Sequence, residues 1–296
     1  MLNGRYILGF LSGALLGVLV FVLLPNMQTK WQNFQENRRQ QALAAEKEKL
    51  QEQVLPKKGV ALGIKFGDTV VKMVEMGAID KDKMLSLSKD YEKFLAKPDN
   101  NELIITKENA GVLLNLLWPL GLSNKTTVLS EGPMGTTYKD DVGNFASTGG
   151  WTLGKEEGGK LFNRFAIVNL TPEQEKEVKG LAQNIFRSCC GNSTFFPDCN
   201  HGAAMLGFLE LAVSAGMSKE EIYKKALYLN SFWFPQTYLD LANYFQVKQN
   251  KQWKDLDPKL ILGSKYSSGQ GYGAVRKEMQ EMGILEKPQG GASCGV

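Results

Sequence analysis

Three of the four cysteines and the single histidine of this 296-residue chain fall within thirteen positions, at Cys189, Cys190, Cys199 and His201. A chain that otherwise nearly avoids both residue types has gathered its soft donors in one stretch, Phe186 to Gly202, so any fold it adopts must present that stretch. Thiolates and imidazole bind soft and borderline metal ions, and thiolates are also nucleophiles. The clustering therefore predicts a metal site or thiol chemistry. The fourth cysteine, Cys294, sits in Gly290-Gly-Ala-Ser-Cys-Gly-Val296, a glycine-rich tail with the composition to fold back as a mobile ligand or thiol.

Spacing narrows the chemistry. Adjacent cysteines close a strained ring if bonded to each other, so the natural partners of Cys189 and Cys190 are Cys199, Cys294 or a metal. Asp198 or Asn200 can cap a following helix, whose positive N-terminus favours a nearby thiolate. His201 then falls in the first helical turn, with Met205 four residues on and on the same face. Met205 can supply a thioether or fill the core. The expected ligand set is Cys189, Cys190, Cys199, His201 and Cys294, with Met205 and Asp198 as accessories, for Cu(I) or Zn(II) in preference to Mg or Ca. If the chemistry is instead thiol exchange, Cys189 and Cys190 are the candidate catalytic residues.

Other chemistries find no support. A haem-attachment Cys-x-x-Cys-His ending at His201 would need cysteine where Pro197 and Asn200 stand. No Gly-x-Ser-x-Gly elbow occurs, and no phosphate-loop spacing runs into Lys-Ser/Thr. Residues 1–58 carry eight Lys/Arg against four Asp/Glu, which leaves 27 of each sign for the remainder. A neutral body without a basic stripe argues against a nucleic-acid partner.

Along the chain, Tyr6 to Leu24 is uncharged and apolar, preceded by Arg5 and closed by Pro25, which is long enough to span a bilayer. Lacking small residues at a cleavage site, it predicts an uncleaved single-pass N-terminal anchor over 1–27, with the body outside the cytoplasm. Residues 28–58 are polar and form a stalk or linker, helical by composition. The body is expected to be mostly α, with an N-terminal half over 59–160, a helical Cys/His domain over 161–288 and the tail over 289–296. A helix over 83–97 follows from Met84, Leu87, Tyr91, Phe94 and Leu95. Residues 103–106 suggest a short strand, and a helix from Thr106 is expected to stop at Pro119. The eight glycines from 132 to 159 predict a long structured loop or a small hairpin that covers the cysteines. Thr171-Pro-Glu-Gln reads as a capping box opening a helix that runs through Phe186 toward Cys189. A helix over 203–215 and another capped by Ser218 come next, which places the cluster in the loop of a helical hairpin.

That layout supports a resemblance. Residues 177–224, a helix running into Cys-Cys-Gly-Asn-Ser-Thr, then Asp-Cys, a second helix and Gly216-Met-Ser-Lys-Glu-Glu-Ile222, resemble the membrane-anchored thiol subunit of bacterial cytochrome c maturation. In that family a helical hairpin carries a Cys-x-x-Cys pair that handles apocytochrome thiols, which implies Cys189 or Cys190 as the attacking thiol here. This chain departs from the pattern in having adjacent cysteines and in adding Cys199 and His201. Three functions thus stand open: a membrane-anchored protein that binds or transfers a thiophilic metal, a thiol-disulfide oxidoreductase, and an interaction protein with structural zinc. Besides a membrane, the partners these imply are a metal donor or acceptor, or a thiol protein.

Overall fold

The computed structural model describes residues 4–285, with side chains from residue 29 onward. Cys294 and the tail that carries it lie outside the described residues. The described chain is mostly helical and divides into two units, residues 1–50 and 51–296.

The first unit consists of helix α1, which begins at Gly4 and runs to Val54, so that its last turn belongs to the second unit. Residues 29–49 are exposed throughout, Trp31, Phe34 and Leu43 included. Among the described residues no helix is long and apolar enough to cross a membrane. This overturns the expected N-terminal anchor, and with it the single-pass topology and the extracytoplasmic body. In the part of α1 whose side chains are described, Lys30, Glu36, Arg38, Arg39, Glu46 and Lys47 leave no run of the about 20 apolar residues that a bilayer core requires. The side chains of residues 4–28, among them those of the expected span, lie outside the described residues.

The second unit opens with a two-stranded antiparallel pair, β1 (Val60–Ala61) with β2 (Ile104–Ile105), in the register Val60 to Ile105. Between the strands lie α2 (Thr69–Met76), α3 (Lys81–Leu87) and α4 (Glu92–Leu95). The single helix expected over 83–97 is broken at Ser88, which turns extended and accepts a hydrogen bond from Asp90 N–H to start a new turn. After β2 come α5 (Ala110–Ser123), α6 (Thr127–Glu131), the glycine-rich segment and α7 (Gly158–Leu161). Next are α8 (Pro172–Asn184), α9 (Asn200–Ser214), α10 (Lys219–Trp233) and α11 (Pro235–Gln249), and then α12 (Pro258–Leu262), α13 (Ser264–Ser267) and α14 (Gly269–Glu281).

Local signals explain the helix starts. Thr171 accepts from Gln174 N–H while the Gln174 side chain accepts from Thr171 N–H, a complete capping box that opens α8. Ser218 caps α10 by accepting from Glu221 N–H. Pro119 does not stop α5, contrary to expectation. A proline inside a helix removes one backbone hydrogen bond, but Leu113 to Ser123 are buried without exception, so packing outweighs the lost bond.

That packing is the α5–α9 contact. Both helices are buried over most of their length, and they meet backbone to backbone at Gly121 and Gly207. A Cβ on Gly121 would fall 1.9 Å from the Ala203 carbonyl oxygen, and one on Gly207 would fall 2.4 Å from the Leu117 carbonyl oxygen. So close an approach sets where α9 begins, and the first turn of α9 carries the cysteine site. Lower on the same helix, buried Glu210 accepts from Asn124 Nδ2 at 3.1 Å. Burial pushes its carboxyl well above the usual range; Asn124 works against this shift, and the charge of Glu175 works with it. Asn124 in turn accepts from the backbone of Ile167 and Val168, which ties the end of α5 to the chain leading into α8.

Overpacking a close-packed contact costs about 1–3 kcal/mol. Gly121→Ala is therefore expected to lower the melting temperature by about 2–4 °C for each of those kcal/mol. Gly180→Ala, on α8 where a Cβ meets nothing within 4 Å, is expected to raise it, because alanine is the better helix former by about 0.8–1 kcal/mol. Thermal melts of the two variants check both signs, and a neutral Gly121→Ala would refute the close contact.

Candidate metal centre

The site lies between α8 and α9, in the loop of a helical hairpin. Helix α8 ends at Asn184, earlier than the helix expected to run through Phe186, because Ile185 and Phe186 turn extended to pair with Ser193 and Thr194. Phe186 bridges Ser193 in antiparallel fashion and Thr194 N–H bonds Ile185 C=O at 2.8 Å, so residues 187–192 form a tight excursion with Cys189 and Cys190 on it. The chain then returns through Asp198 into α9.

Two further elements hold the excursion in place. Gly269 N–H, at the start of α14, donates to the Cys190 carbonyl at 2.7 Å, and Thr237 Oγ1, near the start of α11, bonds Ser188 Oγ at 3.1 Å. From the other side comes the glycine-rich segment. Ser147 N–H donates to the Asp198 carbonyl at 3.0 Å, while the rings of Tyr138, Phe145 and Phe196 pack together at centroid distances of 5.4–5.7 Å. Residues 138–147 thus lie against the return limb of the cysteine loop.

The three thiols converge. The sulfurs of Cys189, Cys190 and Cys199 all lie within 4.8 Å of one another, with Cys189 and Cys199 at 3.5 Å. All three side chains are half-buried. Sulfurs each about 2.3 Å from one ion stand about 3.8–4.0 Å apart, within the span these occupy.

Cys199 has an unexpected role. It is the N-cap of α9, in place of Asp198 or Asn200, and its sulfur accepts from Gly202 N–H at 3.4 Å. It also accepts from Arg187 Nε at 2.9 Å. The other Arg187 nitrogens are bonded too: Nη1 donates to the Asn192 carbonyl at 3.1 Å, and Nη2 to the Phe196 carbonyl at 3.0 Å and to Asp198 Oδ1 at 2.5 Å. Asp198 Oδ2 takes a hydrogen bond from Asn192 Nδ2. The guanidinium, 1% exposed, lies over the first turn of α9, where a Cβ on Gly202 would come within 2.6 Å of it. Arg187 and Gly202 therefore belong to the site although sequence reasoning assigned them no part. The only available signal was a cation set in an apolar approach, Ile185-Phe186-Arg187.

The electrostatics derive from this frame. Hydrogen bonds from the Cys189 and Cys190 thiols hold the Cys199 thiol well below its ordinary pKa against the cost of burial, and the Arg187 charge and a hydrogen bond from His201 add to the shift. Cys189 moves up, because its thiol is shared with Cys190 and Cys199 and because it is buried. Cys190 also moves up; Cys189 pulls it down, but the bond to Cys199 and burial outweigh that pull. Of the three thiols, Cys199 is thus the one whose ionised form the surroundings favour most. Asp198 rises by burial despite Arg187 beside it.

The remaining expected ligands take other positions. His201 is not one of the three residues whose donor atoms lie within 4.8 Å of one another; its ring stands 4.5 Å from that of Phe234 and 5.8 Å from that of Trp233. Met205 is 1% exposed within the core face of α9. Asp198 faces Cys190 at 3.9 Å but is committed to Arg187 and Asn192, an outer-sphere position. No family model, curated protein or solved structure matches the chain.

A depressed thiol stays ionised, and so reactive, below the range in which a free cysteine of pKa about 8.5 loses its charge. In metal-free protein, alkylation of Cys199 by iodoacetamide is expected to persist as the pH falls from about 8.5 to about 6.5, while that of Cys189 and Cys190 fades. Peptide mapping of the alkylated sites measures this, and a common pH dependence for the three would contradict the charge distribution.

Proposed function

We propose that this protein binds and hands on a thiophilic metal ion of the Cu(I) or Zn(II) class through the thiolates of Cys189, Cys190 and Cys199. The observation that carries the reading is the convergence of three sulfurs within 4.8 Å of one another, one of them bonded by a buried guanidinium. Three thiolates on one ion leave excess negative charge, which costs free energy in a half-buried place unless a cation offsets it. Arg187 is that cation. Its N–H bonded to Cys199 is an outer-sphere contact of the kind that orients and tunes a ligand.

The donor set suits a soft ion. Three sulfurs complete a trigonal Cu(I) site, whereas Zn(II) in its usual tetrahedral geometry takes a fourth ligand. Among the described residues His201, two positions past Cys199, is the candidate for it. The side chains that would hold the ion are only half-buried, which fits delivery to an acceptor better than permanent storage.

The loop is held by Arg187, Thr237 and Gly269 through bonds that involve no metal. A chelator is therefore expected to leave the fold intact, whereas a structural zinc would take the fold with it.

Replacing a soft thiolate by a hard hydroxyl removes a ligand. Cys189→Ser, Cys190→Ser and Cys199→Ser are each expected to weaken metal binding by more than the about 10–100-fold typical of outer-sphere changes, and Arg187→Lys by about that range. Metal content of the purified full chain, with chelator competition for affinity, measures both effects. Full occupancy in all three serine variants would refute the proposal.

A further inference from the structure

The three thiols are not equivalent, and the difference supports a second chemistry. Only Cys199 receives donors from the surrounding frame, Arg187 Nε at 2.9 Å and Gly202 N–H at 3.4 Å, at the start of a 15-residue helix. Cys189 Sγ lies 3.5 Å from it, in contact, while Cys190 Sγ faces the carboxylate of Asp198 at 3.9 Å. A lasting bond between the adjacent Cys189 and Cys190 is disfavoured by ring strain. Cys189 and Cys199, ten residues apart on a loop folded back by the Phe186–Ser193 bridge, carry no such restriction.

We propose that in the metal-free protein Cys199 is the attacking thiol, and Cys189 the resolving thiol, of a redox couple that reduces a small hydroperoxide. This goes beyond the metal-binding reading and does not depend on it. The frame that surrounds Cys199 points to a small oxidant. Arg187 lies against its sulfur, the return limb carrying Phe196 is packed under Tyr138 and Phe145, and the sulfur is only half-exposed. A protein disulfide must bring two bonded sulfurs in line with the Cys199 sulfur, against which Arg187 already lies; a peroxide needs room for one oxygen.

The step balances. The Cys199 thiolate attacks the terminal hydroperoxide oxygen, so that an S–O bond forms and the O–O bond breaks. The departing alkoxide takes the proton of the Cys189 thiol and leaves as the alcohol. Cys199 is now a sulfenic acid. The Cys189 sulfur, left as a thiolate, attacks the Cys199 sulfur and expels hydroxide, which leaves as water with the proton that Cys199 gave up on ionising. Two thiols lose two electrons in all, and the hydroperoxide becomes alcohol and water. A dithiol reductant, by exchange at the Cys189–Cys199 bond, restores the pair.

The test uses the full chain stripped of metal by a chelator and treated with one equivalent of hydrogen peroxide. The wild type is expected to form a single disulfide, Cys189 to Cys199, about tenfold or more faster than free cysteine is oxidised. In Cys189→Ser a sulfenic acid is expected to accumulate on Cys199, captured by a 1,3-dione reagent and placed by peptide mapping. Cys199→Ser is expected to give neither product while keeping its far-UV spectrum, since serine is itself a good helix cap. In Cys190→Ser the Cys189–Cys199 bond is still expected, together with loss of metal binding. A disulfide to Cys190 or Cys294, a sulfenic acid on Cys189 or Cys190, or oxidation no faster than that of free cysteine would overturn the assignment. So would reaction with a small-molecule disulfide but not with peroxide. The two readings separate cleanly: a wild type that takes up no metal but forms the Cys189–Cys199 bond removes the first and supports the second, and the reverse result does the opposite.

Discussion

The buried guanidinium of Arg187 is the constraint on which the site depends. A permanent positive charge that is 1% exposed must be matched within hydrogen-bond reach, and here it is matched by the Cys199 sulfur, the Asp198 carboxylate and the carbonyls of Asn192 and Phe196. These partners come from both limbs of the cysteine loop, so satisfying the arginine folds the loop. Removing one partner of a buried ion pair costs about 3–5 kcal/mol because the other charge is left uncompensated. The same charge that closes the loop adds to the hydrogen bonds from Cys189 and Cys190 that lower the pKa of the sulfur it contacts. Architecture and reactivity share one interaction.

That interaction needs a stable platform, which the α5–α9 contact provides. Gly121 and Gly207 bring the two backbones together, the Ala203 and Ala204 side chains keep the face small, and the first turn of α9 is thereby held against the core. Gly202, just before them in the first turn, leaves the space that the guanidinium occupies. A run of small residues in an otherwise apolar helix thus serves two purposes, close approach on one face and room for a charged group at the end. Glu210, its carboxyl pushed up by burial, shows that this helix tolerates a polar group inside the core when a partner such as Asn124 is present.

Much of the architecture was legible because its causes are local. The capping box at Thr171, the cap at Ser218 and the helices they open on either side of the cysteine loop arise from side chains acting on their own backbone. The features that were not legible depend on distant partners. Pro119 sits inside α5 because that helix is buried all round it, and Cys199 takes the capping position that Asp198 and Asn200 are better suited to fill. Asp198 is diverted by Arg187, a contact eleven residues apart that no spacing rule reveals. The thiols announced themselves by rarity. Arginine is common and exposed as a rule, so one buried beneath thiols leaves no mark in composition.

Whether Cys189, Cys190 and Cys199 hold one soft ion between them is tested most directly by X-ray absorption at the metal edge of the loaded full chain, since it counts the sulfur neighbours of the ion and measures their distance. Three sulfur scatterers at about 2.3 Å are predicted. A shell dominated by nitrogen or oxygen, or fewer than two sulfurs, would contradict a shared three-thiolate site.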